Sequence, residues 1–273
     1  MPALPPAFLS YAVLIEVSGT HGSGFFFSRG PDVFLVSAKH VLFKDSLTTF
    51  STPLALTALD SKTLKDKIVF EVDCERLFAD GNLIKHSSAD VAVARIATME
   101  DGEDATASHF RLKDVAGVQV DANNEGWSIM GTDIEESTKL DGVKIGSATL
   151  LLGFPTSLAA PEFFEKNTPL LRTGIVAGKV KEAQIVIDCP VYFGNSGGLV
   201  LQDDPDRSRF TAIGVASRMV PFQENLYSAE FRRQVGTRFE NSGYSLVEPV
   251  DRVIELIDEV QRQFAHGPTS GLR

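Results

Sequence analysis

Short apolar runs separated by glycine, proline and polar turns fill the first hundred residues. Segments 12–17, 24–27, 33–37, 68–72 and 91–96 are rich in β-branched or aromatic residues, which predicts strands. Helical spacing is hard to find there. A second series, 144–153, 171–177, 184–187, 199–201 and 211–216, repeats the pattern, with Asp203-Asp204-Pro205-Asp206 as a hairpin tip. Strands so short and frequent predict an all-β sandwich or barrel, not alternating βαβ units. The end differs: after Pro249 the residues Val250, Val253, Ile254, Ile257 and Val260 recur at steps of three and four, the period of an amphipathic helix.

Between the two series the pattern lapses. Residues 100–104 form a charged turn, 132–137 are acidic again, and the only tryptophan, Trp127, lies between them. This stretch reads as a solvated interdomain loop, with a regulatory or substrate-gating element as the alternative. The expected organisation is one unit over 1–273. It comprises an N-terminal barrel over 7–100, a linker or insertion over 101–143, a C-terminal barrel over 144–248 and a helix over 249–265.

With 273 residues, 43% of them hydrophobic, the chain can bury one large core or two smaller ones sharing a cleft. Its 36 acidic and 26 basic residues give a formal charge of -10, which argues against nucleic acid as a partner. No basic residue precedes the first apolar run and Glu16 interrupts that run, so no secretory signal is expected. No apolar run is long enough to span a membrane. Cys74 and Cys189 are the only cysteines, which fits reduced thiols in a cytoplasm. Cys189 reads as a packing residue, with a second nucleophile or redox switch as the alternative. The carboxylates of 203–206 read as solvated, with a calcium site as the alternative.

The chemistry concentrates in Gly194-Asn195-Ser196-Gly197-Gly198. A serine between small residues on a tight turn can project its oxygen into a cleft and leave backbone N–H groups free for an oxyanion. A glycine-rich hairpin with an exposed serine is the alternative. A serine nucleophile needs a base. Of the five histidines, His40 follows an apolar strand directly, whereas His21, His86 and His109 have polar neighbours and His266 lies near the end. The base needs a carboxylate on its other ring nitrogen, and Asp90 opens the apolar run Asp90-Val91-Ala92-Val93.

Together these residues resemble the trypsin-like serine peptidase superfamily, closest to its HtrA-like and other disulfide-poor bacterial members. The resemblance runs in order through Gly22-Ser23-Gly24-Phe25-Phe26, Ser37-Ala38-Lys39-His40, Ala89-Asp90-Val91, Gly153-Phe154-Pro155, Thr173-Gly174-Ile175, Gly194 to Gly198 and Ile213-Gly214-Val215-Ala216-Ser217. It implies a chymotrypsin-like double β-barrel and endopeptidase activity on a protein or peptide, with no cofactor and no metal. His40 would be the general base, Asp90 its orienting carboxylate and Ser196 the nucleophile, with the N–H groups of Gly194 and Ser196 as oxyanion hole. Ser217 would lie beside the carboxylate and the substrate backbone. The substrate pocket would be formed by Pro190, Phe193, Ser217, Arg218 and Met219. The terminal helix would pack against the second barrel. Lys39 departs from the small residue usual before the histidine. Asn195 stands where secreted trypsins place an aspartate, so activation by pairing with a new N-terminus is not expected.

Two other readings compete. Gly194-x-Ser196-x-Gly198 also fits the nucleophile elbow of α/β-hydrolases, with His266 as base, but the residues after Ser196 read as a strand where that fold needs a helix. A protease-like binding module, or a latent enzyme completed by an activating partner protein, is the third reading. Fewer than ten residues follow 265, so the HtrA resemblance is expected to be confined to the protease core. No His-Glu-x-x-His or clustered Cys and His suggests a metal.

Overall fold

The computed structural model describes residues 4–17, 19–44, 48–49, 53–99, 112–121, 128–156, 165–180, 183–207 and 209–265. Strand β1 (Ala12–Val17) is apolar at almost every position because both its faces are covered. Val13, Ile15 and Val17 enter one core, Ala12 and Leu14 another. The same division runs through β2 (Thr20–Arg29) and β3 (Asp32–Ser37), where Phe26, Val33 and Leu35 face the first core and Phe25, Phe27, Phe34 and Val36 the second. A strand buried on both sides has no polar face, so it reads as a run rather than an alternation.

After β3 come a single helical turn, α1 (Lys39–Leu42), and a small pair, β4 (Phe43–Lys44) with β5 (Thr48–Thr49). Strands β6 (Leu54–Leu59) and β7 (Lys67–Val72) follow, then a short helix, α2 (Cys74–Ala79). The helix was not expected; Asp73 caps it by accepting from the Arg76 N–H at 2.9 Å. Next are β8 (Leu83–Lys85), β9 (Ala92–Met99), β10 (Leu112–Asp114), β11 (Val118–Val120) and β12 (Thr132–Asp133). The ten-stranded sheet runs β10-β9-β3-β2-β1-β6-β7-β11, with β8 beside β9 and β12 beside β2.

Among the described residues this sheet curls around the first core as a half-barrel whose end strands, β10 and β11, have three residues each and are not paired with one another. Those strands and β12 fall in the stretch expected as a linker, and the pairings of β10 with β9, β11 with β7 and β12 with β2 join it to the first sheet. Trp127 and residues 100–104 lie outside the described residues.

The second half is a closed barrel, β13-β14-β15-β18-β17-β16. Its members are β13 (Ala148–Gly153), β14 (Leu170–Lys179), β15 (Ile185–Asp188), β16 (Leu199–Asp204), β17 (Arg209–Ser228) and β18 (Arg233–Pro249). Leu151, Val176, Ile187, Val200, Ile213 and Val247 fill it. Strand β17 runs far beyond the expected 211–216, β18 was not expected as a strand, and the two continue past the barrel as a two-stranded arm. In the turn after β16, the Lys144 ammonium pairs with Asp204 at 3.0 Å and Asp206 at 2.5 Å, so these carboxylates already hold a cation.

Helix α3 (Val250–Ala265) closes the chain. Its stripe, Val250, Val253, Ile254, Ile257 and Val260, enters the core between the two sheets. There it meets Phe34, Val36 and Val93 from the first and Leu199 and Val215 from the second. It therefore packs against both sheets and not the barrel alone, and its polar side also reaches the first. Gln261 donates to Arg29 O at 3.0 Å and Asp32 Oδ2 at 2.9 Å, and Arg29 pairs with Asp258 at 3.1 Å. Among the described residues no helix is long and apolar enough to cross a membrane.

Candidate active site

Ser196 sits on the tight turn between β15 and β16. Asn195 N–H donates to Tyr192 O at 2.9 Å and Gly198 N–H to Asn195 O at 2.9 Å, which folds the segment back on itself. Gly194 and Gly197 hold φ of 94° and 87°, where a β-carbon is strained. A Cβ on Gly194 would also meet Phe154 O and Thr156, and one on Gly197 would meet Ser23 O and Ser37 Oγ. Among the described residues, no acceptor engages the N–H groups of Gly194 and Ser196, the two expected to receive an oxyanion.

Ser23, fully buried on β2, ties this turn to the first sheet. Its hydroxyl donates to Gly194 O at 2.6 Å and accepts from Phe154 N–H at 2.8 Å, and its N–H donates to Ser196 O at 2.8 Å. Ser37 Oγ donates to Ser23 O at 2.7 Å. Nothing in the sequence had assigned Ser23 a role. Its only signal was its place in the block Gly22 to Phe26.

From the first sheet, His40 is held on the turn α1 directly after β3, with its ring half exposed. Asp90 precedes β9. The His40 Nδ1–H donates to Asp90 Oδ2 at 2.8 Å and the His40 backbone N–H to Asp90 Oδ1 at 3.2 Å. With Nδ1 so occupied, the lone pair for accepting a proton is on Nε2. Ser217, almost fully buried on β17, donates its hydroxyl to the same Asp90 Oδ2 at 2.7 Å. Burial works against the Asp90 charge, but the His40 ring bond, the His40 charge, the Ser217 hydroxyl and the His40 N–H together hold the carboxyl below its ordinary value.

The Asp90 loop has its own supports, which the sequence did not indicate. His86 Nδ1 accepts from Ala89 N–H at 2.8 Å and Ser88 N–H at 3.2 Å, leaving its Nε2–H to face Glu255 at 3.2 Å. Lys39 donates to His86 O at 3.1 Å, which gives this departure from the family pattern a positioning contact. Glu248, buried at the end of β18, accepts from Asp90 N–H at 3.3 Å and from Gln184 at 2.6 Å.

Ser196 Oγ donates to Ser217 O at 3.1 Å, and among the described residues no hydrogen bond joins it to His40. Ser217 is therefore the hub: its hydroxyl meets Asp90 and its carbonyl meets Ser196. Of the pocket residues, Pro190 is half-buried and its carbonyl accepts from Arg172 at 3.1 Å. Met219 is half-buried, Arg218 faces solvent, and Phe193 stands 81% exposed. The Cys189 thiol is buried in the barrel core, where burial and Asp188 push its pKa up against the opposing pull of Arg172. Cys74 lies in the first core, pushed up to about 12 by burial and Asp73, so the two free thiols occupy separate cores. The base of the hydrolase alternative, His266, lies outside the described residues. Among those described, no group of His, Cys, Asp and Glu is gathered to hold a metal ion.

No protein-family model matches the sequence, and no curated protein matches it. Solved structures do resemble it. The serine endoprotease from Yersinia pestis superposes with a TM-score of 0.50 at 15% identity, covering 96% of this chain and 69% of that one. Deg5 gives 0.50 at 15% identity over 90% and 87%, and an HtrA-type protease, AlgW with tripeptide, gives 0.51 at 14% over 95% and 64%. The chain has the chymotrypsin-like fold of the trypsin-like serine proteases. Among the solved structures, HtrA-type proteases share it.

Proposed function

We propose that this chain is a serine endopeptidase that cleaves protein or peptide substrates through an acyl-enzyme on Ser196. His40 Nε2 takes the Ser196 proton as Oγ attacks the scissile carbonyl, then passes it to the leaving amine. Asp90 fixes the His40 tautomer and stabilises the imidazolium. The N–H groups of Gly194 and Ser196 receive the negative oxygen of the tetrahedral intermediate. A water activated by the same imidazole then releases the acyl group, so no cofactor enters the cycle. The observation that carries this reading is the unbroken hydrogen-bonded series His40–Asp90–Ser217–Ser196, drawn from both sheets at their seam.

A fluorophosphonate probe tests it. Ser196 of the native chain should label, and Ser196→Ala should neither label nor cleave casein, with turnover down on the order of a millionfold. Casein cleavage by Ser196→Ala at the native rate would overturn the assignment. The hydrogen bond from Ser196 Oγ to Ser217 O favours one refinement: the nucleophile is armed only when Oγ rotates to His40 Nε2, a step an activating partner protein would promote. Labelling that appears only with such a partner would support that latent form. The two buried free thiols support a reducing compartment such as the cytoplasm.

A further inference from the structure

Asp90 stands outside the strand ladders. It lies in the bend 87–90 before β9, so its main chain takes no part in sheet pairing, and three successive N–H groups of that bend end on side chains instead. His86 Nδ1 accepts from Ser88 and Ala89, and the third, Asp90 N–H, donates to Glu248 Oε1 at 3.3 Å. Among the described residues that N–H has no other acceptor. His86 belongs to the same half of the molecule as Asp90, whereas Glu248 belongs to the closed barrel. Among the described residues the barrel makes two hydrogen bonds to Asp90, and they reach different atoms: Ser217 Oγ donates to Oδ2 at 2.7 Å and Glu248 takes the N–H. Both come from the strand pair beside the nucleophile turn. Ser217 is the extra residue of a bulge in β17, between Ala216↔Val247 and Arg218↔Leu246, and Glu248 on β18 opposes Val215. Ser217 alone would tether the carboxyl but leave the main chain behind it free to pivot. A bond to the N–H removes that freedom.

Packing alone does not account for a glutamate at this position. Glu248 is 4% exposed and lies in the chain between the buried Val247 and Val250. Among the described residues its donors are two neutral amides, Asp90 N–H and Gln184 Nε2 at 2.6 Å, with no basic side chain among them. Burying a carboxylate without a cation is costly unless hydrogen bonds offset it, and an apolar side chain would fill the same space at less cost. Gln184, itself buried directly before β15, donates to the same Oε1 that faces Asp90, so the acceptor is already aimed in the free protein. We infer that Glu248 is a positioning residue for the candidate triad: it fixes the Asp90 main chain against the barrel, so that the carboxylate holds His40 in place towards Ser196 across the seam. The inference rests on the peptidase reading for its kinetic consequence, whereas the bonds themselves do not depend on it. Glu248 acts through Asp90 and His40 and touches no reacting atom. Its loss therefore lowers kcat and leaves KM alone.

The test compares the native full chain with Glu248→Leu and Glu248→Gln in cleavage of β-casein, in thermal melting and in the ring 15N shifts of His40, which report its tautomer. Leucine removes the acceptor at similar volume, while the amide oxygen of glutamine keeps it. Below its melting temperature Glu248→Leu should lose about 10–100-fold in kcat, the scale of a catalytic group displaced by about an ångström, with KM within about twofold. Glu248→Gln should recover kcat to within about threefold of native, because both accepted bonds can re-form. The His40 shifts should move towards a mixture of the two tautomers in Glu248→Leu and return in Glu248→Gln. Native kcat in Glu248→Leu, a loss confined to KM, or an equal loss of kcat in both variants overturns the inference. Should Glu248→Leu fail to fold, Glu248→Asp keeps the charge but withdraws the acceptor by one methylene. It should show the same loss of kcat, and native kcat there overturns the inference as well. If the native chain cleaves nothing, the peptidase reading fails by itself and the His40 shifts decide. Shifts unchanged in Glu248→Leu then overturn the positioning role, and shifts lost with leucine and regained with glutamine uphold it.

Discussion

Asp90 receives three donors on one carboxylate, two from His40 and one from Ser217. Replacing it with asparagine keeps the shape but removes the acceptor that fixes the His40 tautomer, so Asp90→Asn should lower kcat by roughly ten-thousandfold while substrate binding changes little. The same bonds make a stability prediction. The folded pKa of Asp90 lies below the ordinary carboxylate value of about 4, so its charge contributes stability that is fully present above that value and lost as pH falls through the folded pKa. Denaturant unfolding of native and Asp90→Asn protein should therefore differ most at neutral pH and converge at the acid end; a constant gap across that range would refute it. Pocket residues lead to a third expectation. By the resemblance to trypsin-like peptidases Pro190 would form the floor, with no carboxylate, and Met219 would narrow the wall, while Arg218 faces solvent. On that assignment a peptide library should show alanine, valine or leucine before the cut, and a lysine or arginine preference would show the pocket misassigned. His40, Asp90 and Ser196 were legible because each stands at the mouth of an apolar strand or in a glycine turn. Ser23 and Glu248 were not, since a single polar residue facing inward from a strand leaves no periodic mark.

Elements buried on both faces were the readable ones: β1, β3, β9 and β16 appear as apolar runs because their apolar side chains enter cores on both faces of the strand. The arm was missed for the opposite reason. Gln223, Glu224, Asn225, Thr237, Arg238 and Glu240 lie in water, so neither face imposes an alternation. Helix α2 was missed because six residues are too few to show a helical period, and β10 and β11 because three-residue edge strands carry almost no pattern. The turn bearing Ser196 was legible through its glycines, and its conformation explains why. At Gly197 the positive φ alone costs a non-glycine residue on the order of 1–3 kcal/mol, and the added Cβ would strike Ser23 O and Ser37 Oγ. Gly197→Ala should therefore lower the melting temperature and abolish fluorophosphonate labelling together, because the same contact seats the nucleophile turn on the first sheet. Loss of labelling with unchanged melting would show that the turn is not braced there.

At the scale of the whole molecule, the candidate chemistry is divided between halves: His40 and Asp90 belong to the curled sheet, Ser196 and Ser217 to the closed barrel. Their register depends on the core between them, where Leu14, Phe34 and Val93 meet Leu152, Leu199 and Val215. Helix α3 seals that core from one side and is bonded to β2 and β3 through Asp258 and Gln261. It also meets the Asp90 loop through Glu255 and His86. Burying its five stripe residues contributes roughly 1.5–3 kcal/mol each, a sum comparable with the ~5–15 kcal/mol net stability of an ordinary domain. A chain ending at Glu248 should therefore fail to fold. The milder Ile257→Ala, at a site only 1% exposed, should fold but lose about 2–5 kcal/mol. Because the lost packing lies at the seam, activity in Ile257→Ala should fall at temperatures well below its melting point. A control such as Val176→Ala, inside the barrel core alone, should lose stability with its activity preserved until it melts. If both variants lose activity only on melting, the helix merely stabilises the fold and does not hold the two halves in register.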